Sequence, residues 1–286
     1  MQRVAAASVA LTLAVVAPLY AQGNGHGRGH GPAAPSRNSL AAPAVVSSSG
    51  GVTPFAWLDD ATVLEPGSVS IAISAMRWAG SDVSEVDVPI VEFAVGLTDR
   101  VHLAASVPHV TGSADAAGPL GGVGTSFFSL KIGVVDNRAR GLKVSVSPTL
   151  ELLGEGVAQA LGTDVGRAQF GVPVSVELDR GAYRLFGGAG YFSRGVWFTG
   201  GGAGVRATGR VFVSGSFGRS WRRDDDPLVP LSDRARNEVS GGVSYLLTPH
   251  ASAFVSLGRT IATLDENGAG TTLAGGIAFF LQSGPK

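Results

Sequence analysis

Lys143-Val144-Ser145-Val146-Ser147-Pro148-Thr149-Leu150-Glu151-Leu152 alternates without a break between two kinds of side chain. Val144, Val146, Pro148, Leu150 and Leu152 fall on one face of an extended chain; Lys143, Ser145, Ser147, Thr149 and Glu151 fall on the other. A period of two belongs to a strand rather than a helix, because successive Cβ atoms of a pleated chain point to opposite sides. Roughly ten residues is the length of a tilted strand crossing a bilayer, whereas strands of soluble sheets are usually about five or six. The stretch therefore predicts a strand with one face in hydrocarbon and the other turned to a polar interior.

The same rhythm recurs outward from this segment in both directions. In Ser68 to Met76, Val69, Ile71, Ile73 and Ala75 oppose Ser68, Ser70, Ala72 and Ser74. Twelve strands are predicted in all, over 67–77, 87–96, 100–108, 123–134, 141–153, 166–178, 181–192, 195–207, 209–220, 236–247, 250–261 and 270–281. Their connections alternate in length. Leu97-Thr98-Asp99, Asp136 to Arg140, Asp179-Arg180, Thr208-Gly209 and Thr248-Pro249 are tight, while Val110 to Gly122 and Arg222 to Ala235 are long. Short turns on one side and long loops on the other are the pattern of an outer-membrane barrel, and only Ser193-Arg194-Gly195 interrupts it. Lipid offers no partner to an open sheet edge, so the sheet must close. The fold class is thus all-β: a transmembrane antiparallel up-and-down β-barrel of about 12 strands, spanning residues 65–286.

Composition agrees. Only 15% of the 286 residues are charged and 42 are Gly, against about 25% charged in soluble domains and roughly half that glycine share. Twenty-two basic residues balance 22 acidic ones, leaving no cationic surplus for a nucleic-acid partner. The absence of Cys excludes disulfides, thiolate metal sites and a Cys nucleophile. Met1-Gln2-Arg3 and the apolar run Val4 to Tyr20 predict a signal peptide over 1–21, hence export to the bacterial outer membrane. Residues 22–64 are read as a flexible Gly/Ala/Pro-rich periplasmic arm. Its His26 and His30 are too few for a metal site, so no metal and no cofactor are expected.

The lipid face should carry Val91, Phe93 and Val95; Phe170, Val172, Val174 and Val176; Val211, Val213 and Phe217; and Val255 and Leu257. Trp78, Tyr191, Trp197 and Trp221 fall near outer strand ends and Tyr183 and Tyr245 near inner ends, as interfacial aromatic girdles would. On the opposite parity, His102, Lys131, Lys143, Glu177 and Arg184, with Arg206, should form a mixed-sign ring at the lower mouth. Such a ring is either a selectivity constriction or a set of structural ion pairs, with Glu177 meeting Arg184 across their turn. Glu92, Glu151 and Glu238 complete the candidate pore lining. Arg222-Arg223-Asp224-Asp225-Asp226 is a candidate binding loop, for Ca²⁺ or lipopolysaccharide phosphates, or simply a solvated loop.

A catalytic reading finds little support. Only His109, with Ser113 and Asp115, could form a rim constellation, and nothing in their spacing demands chemistry. Gly200-Gly201-Gly202-Ala203-Gly204 lies in a strand with no helix after it, so it is a close-approach strand and not a phosphate loop.

The segment Val91-Glu92-Phe93-Ala94-Val95-Gly96-Leu97-Thr98-Asp99-Arg100-Val101-His102-Leu103-Ala104-Ala105-Ser106-Val107-Pro108 resembles a hairpin of the outer-membrane barrels named for the meta-pathway of phenol degradation: an apolar strand, a Gly-Leu-Thr-Asp-Arg turn, a second strand and a closing Pro. The resemblance covers about twenty residues and implies a transport barrel without naming a solute. Such barrels commonly end on an aromatic residue, whereas here Phe279-Phe280-Leu281 is followed by Gln282 to Lys286. The expected function is passive passage of small solutes, hydrophobic ones included. The alternatives are a non-conducting structural or adhesive barrel that binds a partner through its outer loops, and an outer-membrane hydrolase. Expected partners are outer-membrane lipid, lipopolysaccharide and the barrel-assembly machinery.

Overall fold

Residues with a buried and an exposed face alternate along each strand because the sheet curls until its first strand meets its last. The computed structural model describes residues 60–80, 84–114, 121–154, 168–193, 195–222, 235–263 and 269–281. Twelve antiparallel strands close into a barrel: β1 (Val69–Gly80), β2 (Ser84–Thr98), β3 (Val101–Ala114), β4 (Ser126–Asn137), β5 (Leu142–Val146 and Thr149–Leu152), β6 (Ala168–Gly171 and Val174–Asp179), β7 (Tyr183–Phe192), β8 (Val196–Arg206), β9 (Val211–Arg222), β10 (Arg236–Thr248), β11 (Ala251–Thr260) and β12 (Gly270–Leu281). Gly122–Val123 adds a short rung beside the outer end of β3. The seam runs from Val69↔Leu281 to Gly80↔Gly270 without a register break. No described helix is long and apolar enough to cross a membrane.

Two strands are interrupted at proline, which has no N–H for the ladder. Pro148 divides β5 and Pro173 divides β6, and the ladder continues between them through Ser147 N donating to Pro173 O at 2.8 Å. In β2 a bulge between Asp87 and Ile90 leaves Val88 and Pro89 both facing out, so Asp87 and Ile90 both face in. This extra step carries β2 back to Ser84, three residues beyond its expected start.

The outward face is the expected one: Phe93, Phe170, Val176, Phe217, Val255 and Leu257 are exposed. Tyr191 and Trp197 meet on it with ring centroids 4.8 Å apart, near the outer end, and Tyr183 and Tyr245 are exposed near the inner end. Trp78 corrects the expectation. It shares parity with Ser74 and Met76, is 3% exposed, and its indole lies inside the barrel against Gly270.

Inside, phenylalanine rings reach over glycines of neighbouring strands. A Cβ on Gly190 would run into the Phe198 ring, one on Gly202 into Phe186 and one on Gly204 into Phe212. The glycine run of β8 is therefore the floor beneath aromatic side chains, an arrangement in which rings cover otherwise bare backbone.

The inner turns are tight. Gly141 sits in one of them at φ +61°, where a Cβ would also collide with the Asp179 carbonyl. Gly141→Ala is expected to cost about 1–2 kcal/mol from backbone strain alone, more with the collision. The check is a lower temperature for the shift from folded to unfolded mobility on an unboiled gel.

Candidate functional site in the barrel lumen

Strand alternation brings the candidate ring together at the inner mouth. His102 on β3 and Lys131 on β4 are cross-strand partners, as are Lys143 on β5 and Glu177 on β6, and Arg184 follows on β7. All five side chains turn inward, and so does Arg206 of β8 by parity. Across the lumen, β9, β12, β1 and β2 contribute Phe212, Ala278, Phe280, Ala72 and Ala94 at the same end. The inner mouth is thus split, charged on one arc and apolar on the other.

That split is filled by the chain itself. Residues 60–64, assigned by composition to the flexible arm, lie inside the barrel, with Asp60 and Leu64 each 1% exposed. The polar residues of this segment meet the charged arc. One Asp60 carboxylate oxygen lies 3.2 Å from Nη1 of Arg184 and the other 3.6 Å from Nζ of Lys131, which also donates to the Asp60 carbonyl at 2.9 Å. The Thr62 hydroxyl donates to Glu177 at 2.8 Å and accepts from Lys143 at 2.9 Å. The backbone N–H of Leu64 donates to Nδ1 of His102 at 3.1 Å. Its side chain enters the apolar arc among Ala72, Ala94, Phe212, Ala278 and Phe280. Beyond it the backbone leaves over Gly96, where any Cβ would collide with the Glu65 carbonyl, and Gly67 N donates to Gly96 O at 2.8 Å.

The expected pairing of Glu177 with Arg184 is corrected by the register. Arg184 stands opposite Asp179, so Glu177 stands opposite Phe186; Glu177 pairs with Lys143 at 3.5 Å and Arg184 reaches Asp60. Arg184 also lies over two rings, 5.5 Å from the centroid of Phe186 and 5.9 Å from that of Phe212. Buried charges lacking partners cost several kcal/mol each, so the segment and the ring hold one another in place. Thr62→Val would remove the hydroxyl that joins Lys143 to Glu177, weakening the seat by about 1 kcal/mol. The expected outcome is amide exchange at Thr62 and Leu64 faster by several-fold, with exchange in β1 unchanged.

Higher in the lumen, Glu92, Glu151 and Glu238 all turn inward and are buried, and Glu238 pairs with Arg236 at 2.9 Å. Glu85 and Asp87, which the sequence reading left out, join them on β2. Apolar side chains narrow this outer half: Phe127, Phe192, Val196 and Phe198 form one cluster, and Met76, Ile90 and Ala274 another. His109 is exposed and shares parity with Leu103, facing away from the lumen. The Ser113 side chain and Asp115 lie outside the described residues, as do Arg223 to Asp226 and the side chain of Arg222.

A closed 12-strand wall with an apolar exterior and a small, polar or glycine-rich interior defines an outer-membrane β-barrel. Among solved structures the chain is similar to the NanC porin, with TM-score 0.54 at 10% identity over 73% of this chain and 98% of that one. It is also similar to an outer-membrane channel from Pseudomonas putida F1, with TM-score 0.51 at 15% identity over 80% of this chain and 100% of that one. At such identities the likeness is one of fold, and it does not single out the phenol-pathway family. No protein-family model and no curated protein matches the sequence.

Proposed function

We propose that this protein is an outer-membrane channel for passive passage of small solutes, held nearly closed at its inner mouth by its own residues 60–64. The observation that carries the reading is the nature of that closure. The plug is a short segment that runs into β1, and among the described residues it is fixed by polar side-chain contacts and one leucine, outside the strand ladder of the wall. Likeness in fold to two outer-membrane channels supports the reading. Glu92, Glu151 and Glu238 line the path above the plug, and His102, Lys131, Lys143, Glu177 and Arg184 surround it.

The test is reconstitution of the purified chain into planar bilayers. Discrete current steps are expected, small because the segment occupies the mouth. Complete absence of current and of solute flux, in protein shown to be folded by its gel mobility, would end the proposal.

A second reading is favoured by the apolar clusters of the outer half, which narrow the lumen where the segment does not reach. In it the barrel conducts nothing and its outer loops, Arg222 to Asp226 among them, bind a partner or lipopolysaccharide. Silence in the bilayer together with lost surface binding on removal of that loop would favour it over the channel. A rim hydrolase centred on His109 is the weakest reading, because His109 is exposed on the outward face and nothing in its spacing to Ser113 and Asp115 demands chemistry.

A further inference from the structure

We propose that the inner mouth is a binding seat for small monocarboxylates with an apolar body, and that Asp60 occupies it in place of the solute. The inference names the substrate class of the channel proposed above and rests on that reading. It begins from an imbalance. Among the described residues, the charged side chains bonded to residues 60–64 include three cations, Lys131, Lys143 and Arg184, against one anion, Glu177. With the segment withdrawn, the wall would present that surplus to whatever enters. Buried cations left without counter-charge draw an anion, because desolvation makes the unpaired state costly.

An independent observation points to a carboxylate in particular. Arg184 uses only Nη1 on Asp60, while Nε and Nη2 are buried with no hydrogen-bond partner among the described residues. Those two atoms form the edge of the guanidinium whose parallel N–H groups match the two oxygens of a carboxylate. The segment thus leaves half of the recognition group unused, and a free carboxylate could meet it side-on. The walls beside it fix the rest of the solute. Phe186 and Phe212 lie within 6 Å of the Arg184 guanidinium carbon by ring centroid, and Phe212 is also part of the pocket that holds Leu64. A ligand with its carboxylate on Arg184 would rest its apolar body on the surface the leucine now covers. A second negative charge on the solute is disfavoured, since Glu177 stands on the strand next to Arg184 and already pairs with Lys143.

Asp60→Asn removes the internal competitor while preserving shape. The experiment uses the folded full-length chain in detergent, with butyrate as probe and butyramide as its neutral counterpart. Butyrate is expected to raise the thermal unfolding midpoint of Asp60→Asn, with an apparent affinity at least about tenfold tighter than for the unsubstituted chain and than for butyramide, one good charge-assisted contact being worth that factor. Adding Arg184→Gln should abolish the preference and Arg184→Lys should restore it only in part, since Lys keeps the charge and loses the fork. Equal responses to butyrate and butyramide in Asp60→Asn, or a preference that survives Arg184→Gln, would overturn the seat. Conductance of the same proteins is read separately. Selective binding with no current in any of them refutes the channel and leaves the seat standing; current without selective binding does the reverse.

Discussion

A barrel lacking residues 60–64 is expected to pass several-fold more current per molecule than the full chain. Among the described residues the segment is anchored by its contacts with side chains of the lumen wall, and those contacts include no strand-to-strand hydrogen bond. What its removal subtracts is the side-chain volume that fills the mouth between Arg184 and Phe280. Leu64→Asp should give the same direction by another route, because it places a carboxylate in the pocket of Ala72, Ala94, Phe212 and Phe280 at a cost of several kcal/mol. In that variant the segment is present but cannot seat. Unchanged single-channel current in both variants, with folding verified by gel mobility, would show that the constriction lies higher, at Phe127, Phe192 and Phe198.

The second large effect concerns assembly. Gly202→Val is expected to prevent formation of the folded barrel, because the position has no room in any direction. A Cβ there collides with the Gly215 carbonyl of β9, lies 2.6 Å from the Phe186 ring and 2.9 Å from the Ser216 Cβ. The ring could swing away, but the carbonyl belongs to the ladder between β8 and β9 and can shift only by breaking register. Overpacking in a tight core usually costs about 1–3 kcal/mol, and a collision with fixed backbone lies above that range. Gly204→Ala makes a graded comparison. Its added methyl meets mainly the Phe212 ring and the Ser214 Cβ, so the double variant with Phe212→Ala should recover much of the loss. A folded Gly202→Val barrel of normal heat stability would refute this account of the wall.

The wall was largely legible in the sequence because its physics is local. Each residue of a membrane strand faces either lipid or lumen, so Val144 and Ser145 declare their sides without knowledge of their neighbours. The strands departed from the reading where that simple parity fails. The bulge at Val88 and Pro89 interrupts alternation, and so the inward positions of Glu85 and Asp87 went unread. Aromatics favour the membrane interface, which is why Trp78 is expected there, yet its parity with Met76 places it inside.

The plug was less legible, since composition averages hide a short specific segment. Residues 22–53 are rich in Gly, Ala, Ser and Pro, but Phe55-Ala56-Trp57-Leu58-Asp59-Asp60-Ala61-Thr62-Val63-Leu64 is not, and the change in character near Phe55 is the available signal. Even with it, nothing local says that Asp60 meets Arg184, which stands 124 positions away in the chain. The ring itself was foreseen as residues sharing a height and a parity. Its partners were not, since pairing depends on the diagonal between adjacent strands as well as on the register.

The inner mouth has one arc of charge and one of hydrocarbon, and Asp60, Thr62 and Leu64 meet them in turn at a spacing of two. A slip by a single position would offer Ala61 and Val63 to the cations and leave the pocket of Phe212 and Phe280 without its leucine. Segment and wall are therefore bound to change together over evolutionary time: descendants that lose the acid at Asp60 should also lose a base at Lys131 or Arg184, and a smaller residue at Leu64 should be met by a larger one at Ala72, Ala94 or Ala278.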